Sequence, residues 1–306
     1  MVADKDDMHD MKIGFSSLVC PVWNLETIFR QASEFGFDGV ELRGLQGELH
    51  LPIAAELVRH PDRVRALAEE HNVALVGLGS SAHLAARDAK VRSHQKAAIV
   101  EFVELAAKIG CPRVRVFAGD VDRSDSHDAA LSRSASLLVE LVPTLVRSGV
   151  TLLVENGGDF CGSQDLWFLI DAVSHPLVQC CWNQCNALTI SERPTTSIPR
   201  LGCKIGMVHV CDADVDAFGV LNGYQPLGAG RGEVARQIEL LRGLIYRGFL
   251  IFEWPKLWVP SLAPPEQVLP AAAAYLRARL EEKQAVLTAY KGDKNVPRMS
   301  AVPAAP

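Results

Sequence analysis

One rhythm recurs along the chain: an amphipathic helix, a glycine or polar turn, a short β-branched strand, then a polar loop. Leu25, Ile28, Phe29, Ala32 and Phe35 follow helical spacing, Gly36-Phe-Asp-Gly39 breaks it, and Val40-Glu41-Leu42-Arg43 reads as a strand. The order returns at Ile109-Gly110-Cys-Pro112 before Val114–Phe117, at Ser148-Gly149 before Val150–Val154, and at Arg247-Gly248 before Phe249–Phe252. Glycine just past a helix is the usual stop, because it takes a left-handed conformation without steric cost. Eight strands are expected: Ile13–Ser17, Gly39–Arg43, Ala74–Gly79, Arg113–Phe117, Thr151–Asn156, Val178–Asn183, Met207–Cys211 and Leu250–Trp254. A last helix over Pro265–Ala289 closes the series. Strands that alternate with helices run parallel, joined by crossovers. Eight such units in roughly 280 residues predict a single (β/α)8 TIM barrel. The rival, a doubly wound open sheet, calls for a Gly-rich phosphate turn after the first strand. Ser16-Ser17-Leu18-Val19-Cys20-Pro21 stands there instead.

The chain has 306 residues, 48% hydrophobic and 22% charged, enough for a sizeable core and too apolar for global disorder. A net charge of −5 argues against a general nucleic-acid surface. No run reads as a bilayer span, so neither nucleic acid nor membrane is an expected partner. The N-terminus is charged and lacks the apolar centre of a signal peptide. The eight cysteines show no regular spacing and read as reduced thiols of a cytoplasmic protein. No Cys-x2-Cys pair supports structural zinc. Residues 1–10 read as a flexible tail, residues 11–290 as the barrel domain, and the Pro- and Ala-rich residues 291–306 as a disordered tail. The glycine-rich stretch Asp212–Gly232 reads as a long loop. Its Gly228-Ala-Gly230-Arg-Gly232 turn precedes a helix, where an anion can bind.

Three strands end in polar groups suited to catalysis: Val150–Val154 in Glu155, Met207-Val208 in His209, and Phe249–Phe252 in Glu253. A carboxylate at the C-terminal end of a barrel strand points into the mouth. Leu153 and Glu155 share one strand face, as do Ile251 and Glu253. Two ionised carboxylates in one mouth repel unless a cation sits between them. A divalent metal would resolve this and polarise a substrate oxygen so that a neighbouring C–H can be deprotonated. The plainer alternative pairs each glutamate with an arginine at the rim. His209 suits the same metal, since neutral imidazole is a common ligand. Asn183 ends the sixth strand, and its amide oxygen can bind a hard cation without adding charge. Arg43 and His83 are candidates to grip substrate oxygens, with rim ion pairing or solvation as alternatives. Trp182, Trp254 and Trp258 are candidates for an apolar wall against a sugar ring, with core packing as the default. Lys256 is a further candidate, with a solvated rim charge as its alternative.

At these residues the chain resembles the xylose-isomerase-like TIM-barrel family of sugar phosphate isomerases and epimerases, which also includes endonuclease IV-type enzymes. The likeness spans residues 12–288 through Phe35-Gly-Phe-Asp-Gly-Val-Glu-Leu42, Val154-Glu155-Asn156, the Trp182–Asn186 segment, Val208-His209-Val-Cys-Asp212, Gly228–Glu233 and Phe252-Glu253-Trp254. It implies a manganese, magnesium or cobalt ion on Glu155, Asn183, His209 and Glu253, with the two glutamates as the acid/base pair. It also implies Asn186 and Asp212 among the substrate-facing residues. The chain departs from the family pattern where Asn183 replaces an Asp, Asn186 a His and Cys211 a Lys. The donor set loses one negative charge, so weak metal binding is expected.

The implied activity is isomerisation or epimerisation of a small keto-sugar or polyol through an enediolate. A keto-inositol dehydratase, a lyase, shares the first step. A non-catalytic sugar-binding or partner protein on the same scaffold is the alternative that Asn183 and Asn186 favour. A nuclease would want more metal ligands and a basic groove. A homo-oligomer is compatible with all of these.

Overall fold

In the computed structural model, which describes residues 11–292, eight parallel strands close into a barrel. The strands, in chain order, are β1 (Lys12–Ser16), β2 (Gly39–Leu42), β3 (Ala74–His83), β4 (Arg113–Phe117), β5 (Thr151–Glu155), β6 (Val178–Asn183), β7 (Ile205–Val210), β8 (Asp212–Val215), β9 (Leu221–Gln225) and β10 (Phe249–Phe252). The barrel order is β1-β10-β7-β6-β5-β4-β3-β2, and β8 and β9 form a separate antiparallel hairpin. β1 pairs with both β2 and β10, which excludes the open sheet.

The helices begin and end where local chemistry says they should. Asn24, Asp88 and Ser126 cap the helices Leu25–Glu34, Ala89–Ile109 and His127–Ser148 by accepting backbone N–H bonds. Gly110 and Gly149 terminate the latter two with φ of 76° and 70°.

Strand alternation divides the interior into two cores. Outward residues such as Phe15, Val40, Val114, Leu152, Val208 and Leu250 join the helices in the main apolar cluster. Inward residues Val76, Leu153, Cys181, Met207 and Ile251 form a small separate cluster that plugs the lower barrel. The polar site stands on this plug.

Several expectations are corrected. Asp212–Gln225 is not a featureless loop: it is the β8–β9 hairpin, its turn held by Asp216, whose Oδ1 accepts from Phe218 and Val220 N–H. β3 runs on to His83, beyond the expected end at Gly79. Among the described residues one helix, His127–Ser148, is long and apolar enough by length and composition to cross a membrane. Its Leu137, Leu138, Leu141 and Leu145 are buried in the main core, the pattern of a helix that covers a barrel. The last helix is Pro265–Gly292, so it takes in the first two residues of the stretch read as a tail. The remaining tail expectations, on residues 1–10 and 293–306, lie outside the described residues.

Gly14 sits where β1 meets β2, and a Cβ there would lie 2.7 Å from the Gly39 carbonyl oxygen and 2.7 Å from Ile251 Cδ1. Backbone cannot yield as a flexible side chain can. Gly14→Ala is expected to lower stability by about 1–3 kcal/mol, the usual cost of overpacking. Gly243→Ala, where nothing lies within 4 Å, serves as the near-neutral control. Equal urea midpoints for the two variants would show that this strand contact is looser than described.

Candidate active site

Above the apolar plug lies a layer of charge. Glu41 on β2, Arg115 on β4, Glu155 on β5 and His209 on β7 all face inward and are at most 1% exposed. Asn183 ends β6, and Glu253 follows β10 directly. His209 is the hub. Its Nδ1 lies 3.1 Å from Glu155 Oε1 and 3.6 Å from Glu253 Oε1, and its Nε2 lies 3.3 Å from Glu41 Oε2. Arg115 approaches Glu155 Oε2 with Nε at 2.9 Å, donates from Nη1 to the Ser80 carbonyl at 2.7 Å, and stacks 4.2 Å over the Phe117 ring. The arginine alternative for Glu155 is therefore realised inside the barrel, not at the rim.

The carboxylates are not equivalent. Burial alone would raise Glu41, but His209 and Arg115 overcome it and hold its carboxyl down at about 2. Burial is likewise outweighed at Glu155 by His209 and Arg115, so this group stays low and ionised. At Glu253 burial, together with the charges of Glu155 and Glu41, outweighs His209 and raises it. Its side chain is also the most open of the three, 15% exposed against 2% for Glu155 and 0% for Glu41. For His209, burial favours the neutral ring, yet Cys181 and the three glutamates push it well above the ordinary range. Burial pushes the Cys181 thiol up to about 12, so a protonated, uncharged thiol leaves the carboxylates as the effective cause. An environment that drives two neighbouring carboxylates apart separates an ionised group from a proton-exchanging one.

Of the expected ligands, Glu155, His209 and Glu253 turn charged or imidazole atoms to one another, and the protonated Cys181 thiol stands beside the first two. Ligand atoms of Glu155, Cys181 and His209 lie within 4.8 Å of one another. His209 turns Nδ1 toward Glu155 and Glu253 and is backed on Nε2 by Glu41, the arrangement that orients a metal-binding imidazole. Asn183 departs from expectation. Its Nδ2 donates to Glu155 Oε1 and to Glu253 Oε2, both at 2.9 Å. Its Oδ1 accepts from Cys185 N at 3.1 Å and from Cys211 Sγ at 3.4 Å. The backbone N–H of Cys185 can only donate, so the atom it meets must be the oxygen. The cap on the following helix thus turns an N–H, not a lone pair, toward the glutamates.

The other expected residues divide. Arg43 is buried beside the charged layer. His83 is half-buried at the end of β3 against Gly119, its Nδ1 without a partner among the described residues. Asn186 donates to the Asn156 carbonyl at 2.7 Å. Trp182 and Trp254 face outward into the main core, and their indole N–H groups bond Gln184 and the Ala263 carbonyl. Neither forms a wall of the mouth, because each stands one residue off the inward set Cys181, Asn183 and Glu253. Lys256 turns back to the carbonyls of Pro260 and Leu262 at 3.0 and 2.6 Å. Asp212 does not face the mouth: its carboxylate accepts from the N–H groups of Ala213, Gly228, Gly230 and Gly232. The glycine turn does cradle an anion, and that anion is the chain's own aspartate. Glu41 and Arg115 were missed. The signal was present in Val40-Glu-Leu-Arg43 and Val114-Arg-Val-Phe117, where a charged residue takes the inward place of an alternating strand.

The profile of the family described as "Xylose isomerase-like TIM barrel" matches residues 29–279. The fructoselysine 3-epimerase of Shigella flexneri is 22% identical over 271 residues, covering 85% of this chain and 95% of that protein. The structure of an L-ribulose 3-epimerase superposes with a TM-score of 0.75 at 17% identity, covering 94% of this chain and 100% of that one. A probable 3-DHS dehydratase of Bacillus anthracis gives 0.69 at 16% identity, covering 87% of this chain and 99% of that one. At such identities the structural likeness carries the fold.

Two outcomes follow from this geometry. Asp212→Ala strips an acceptor from four backbone amides and is expected to cost about 3 kcal/mol, as loss of a charged acceptor from a buried site does. A urea midpoint unchanged from the parent would contradict the anchoring role. Glu41 is held at about 2 against an ordinary 4.5, so its contribution is complete above pH 4.5 and is lost as pH falls toward 2. Thermal melts of the parent and Glu41→Gln should differ most at neutral pH and converge in acid. A gap that widens in acid would reverse the assignment.

Proposed function

The chain belongs to the xylose isomerase-like TIM-barrel family, and from that premise we propose that it is an isomerase or epimerase of a small keto-sugar or polyol, acting by proton transfer through an enediolate. The observation that carries this reading is the pair Glu155 and Glu253, joined through one Asn183 amide and one His209 ring yet driven to opposite protonation behaviour. The epimerases named above are by name ketose-directed, which supports the same substrate class.

A manganese, magnesium or cobalt ion held by Glu155, His209 and Glu253 would, when bound, supply positive charge for the substrate's carbonyl and hydroxyl oxygens. The rest falls to the chain. Glu253, the most open carboxylate, takes the proton from the carbon beside the carbonyl, and the electron pair moves into a C=C bond as the carbonyl oxygen gains charge. Glu155, kept ionised and fixed by Arg115, is the second carboxylate of the pair. A proton passed from the His209 ring to Glu155, 3.1 Å away, and on to the opposite face yields the epimer, and the proton held by Glu253 then recharges the ring across 3.6 Å; return of that proton from Glu253 to the neighbouring carbon, with the hydroxyl proton moving to the former carbonyl oxygen, yields the isomer. Asn183 holds the two glutamates at one spacing through its amide. Glu41 holds the His209 ring in place from behind.

Glu253→Gln is expected to lower exchange of the substrate's carbon-bound proton by about 10²–10⁴-fold with little change in stability. Proton NMR of keto-sugars in heavy water reads this directly, and the appearance of a dehydrated product there would mark a lyase instead. Near-normal exchange in the variant would remove Glu253 from the acid/base role. Asn183→Asp keeps one oxygen on Cys185 N–H and frees the other as a charged ligand, so manganese binding should tighten by about tenfold or more. Calorimetric titration of both forms decides: equal or weaker affinity in the Asp form takes this corner out of the donor set.

A further inference from the structure

Arg43 is a buried cation that no anion among the described residues pairs with. It follows β2 on the inward alternation of Gly39 and Glu41, and is only 4% exposed. Its Nη2 donates to Ser81 Oγ at 2.8 Å, and its guanidinium lies 5.7 Å from the centre of the Trp258 ring. Its Nη1 is buried and, among the described residues, has no hydrogen-bond partner. Among the described residues no carboxylate oxygen lies within the 4.0 Å reach of an ion pair. The nearby carboxylates are engaged elsewhere: Glu41 with His209, Glu155 with Arg115, and Glu253 with Asn183.

The surroundings sharpen the contrast. A Cβ on Gly79 would fall 2.7 Å from Arg43 Cδ and 2.9 Å from Arg115 Nη2. The missing side chain is the notch that lets two guanidiniums lie side by side. One of them is matched by Glu155 and the other is not. Burial and the charge of Arg115 draw Arg43 down to about 10, against the pull of Glu41, Glu253 and Glu155, none of which meets it in an ion pair. Its open side is the rim, where Ser81 is exposed and Trp258 is 52% exposed. A buried guanidinium nitrogen without an acceptor is costly to maintain, and a charged oxygen arriving with a ligand would satisfy it.

Resting on the reading of this mouth as a keto-sugar site, we propose that Arg43 binds an anionic substituent of the substrate, a carboxylate or a phosphate, and makes the protein selective for acidic over neutral ketoses. The guanidinium fork accepts either group in bidentate fashion. The anionic substituent sits at the rim, while the reacting carbon lies over Glu253.

Calorimetric titration of the full chain with D-fructose, D-fructuronate and D-fructose 6-phosphate tests this without requiring turnover. The parent should bind one acidic probe at least about tenfold more tightly than fructose, the scale of one charge-assisted contact. The fructuronate and phosphate arms identify which anion fits. Arg43→Met should abolish the difference between acidic and neutral probes, and Arg43→Lys, which keeps the charge, should retain part of it. If the Met form does not melt cooperatively, the comparison of Lys with parent decides: a Lys form with full bidentate-level preference, or none in the parent, overturns the proposal. A preference that survives in a folded Met form overturns it too, as does failure of both acidic probes to outbind fructose. The two readings fail separately. Loss of proton exchange with an intact Arg43-dependent preference would sink the epimerase reading alone; exchange without any preference would sink this one alone.

Discussion

Inside a closed barrel an inward side chain has little water to turn to, so a charge there is costly unless another answers it. His209 answers three. It stands between Glu41 on one side and Glu155 and Glu253 on the other, and Arg115 adds a second positive charge from across the barrel. Removing one partner from such a set leaves a buried charge uncompensated, which costs far more than an exposed pair contributes. The layer can exist only because the plug of Val76, Leu153, Cys181, Met207 and Ile251 lifts it to the level of the mouth. The same arrangement makes the glutamates unequal, and that inequality is what a proton-transfer site needs.

Asn183 shows how a backbone requirement limits what a residue in the mouth can offer. It ends a strand and caps the helix Gln184–Leu188, so its oxygen belongs to Cys185 N–H. The face left over for the site is an N–H donor. An aspartate would meet both demands, one oxygen for each. The amide instead bridges Glu155 and Glu253, trading a ligand for a spacer. Asp212 follows similar logic in the next loop: its charge is spent on the amides of Gly228, Gly230 and Gly232, which orders the turn ahead of the helix Val234–Gly243.

Arg43 stands apart because it is buried like the others and yet unmatched. Gly79 provides its space, Ser81 and Trp258 hold it, and none of them neutralises it. An unpaired guanidinium at the edge of the mouth, away from Glu155 and Glu253, is the feature on which the proposed selection of acidic substrates rests.

The helix-turn-strand rhythm determined the barrel, because both the helical and the strand period are properties of the local backbone. Strand alternation likewise put Glu155, His209 and Glu253 on the inward face. The same rule, carried through every strand, sends Trp182 and Trp254 outward and brings Glu41 and Arg115 in. These placements are legible in the alternation alone, which is blind to side-chain type. Other features were decided only in three dimensions. Which end of the Asn183 amide faces the glutamates depends on Cys185 and Cys211, the latter on another part of the barrel. The fate of Asp212 depends on glycines 16 to 20 residues away. The unmatched charge of Arg43 depends on where each neighbouring carboxylate finds its own partner. Period and face are set between adjacent residues, whereas hydrogen-bond direction and charge balance are set by whichever groups the closed barrel brings within 3 or 4 Å.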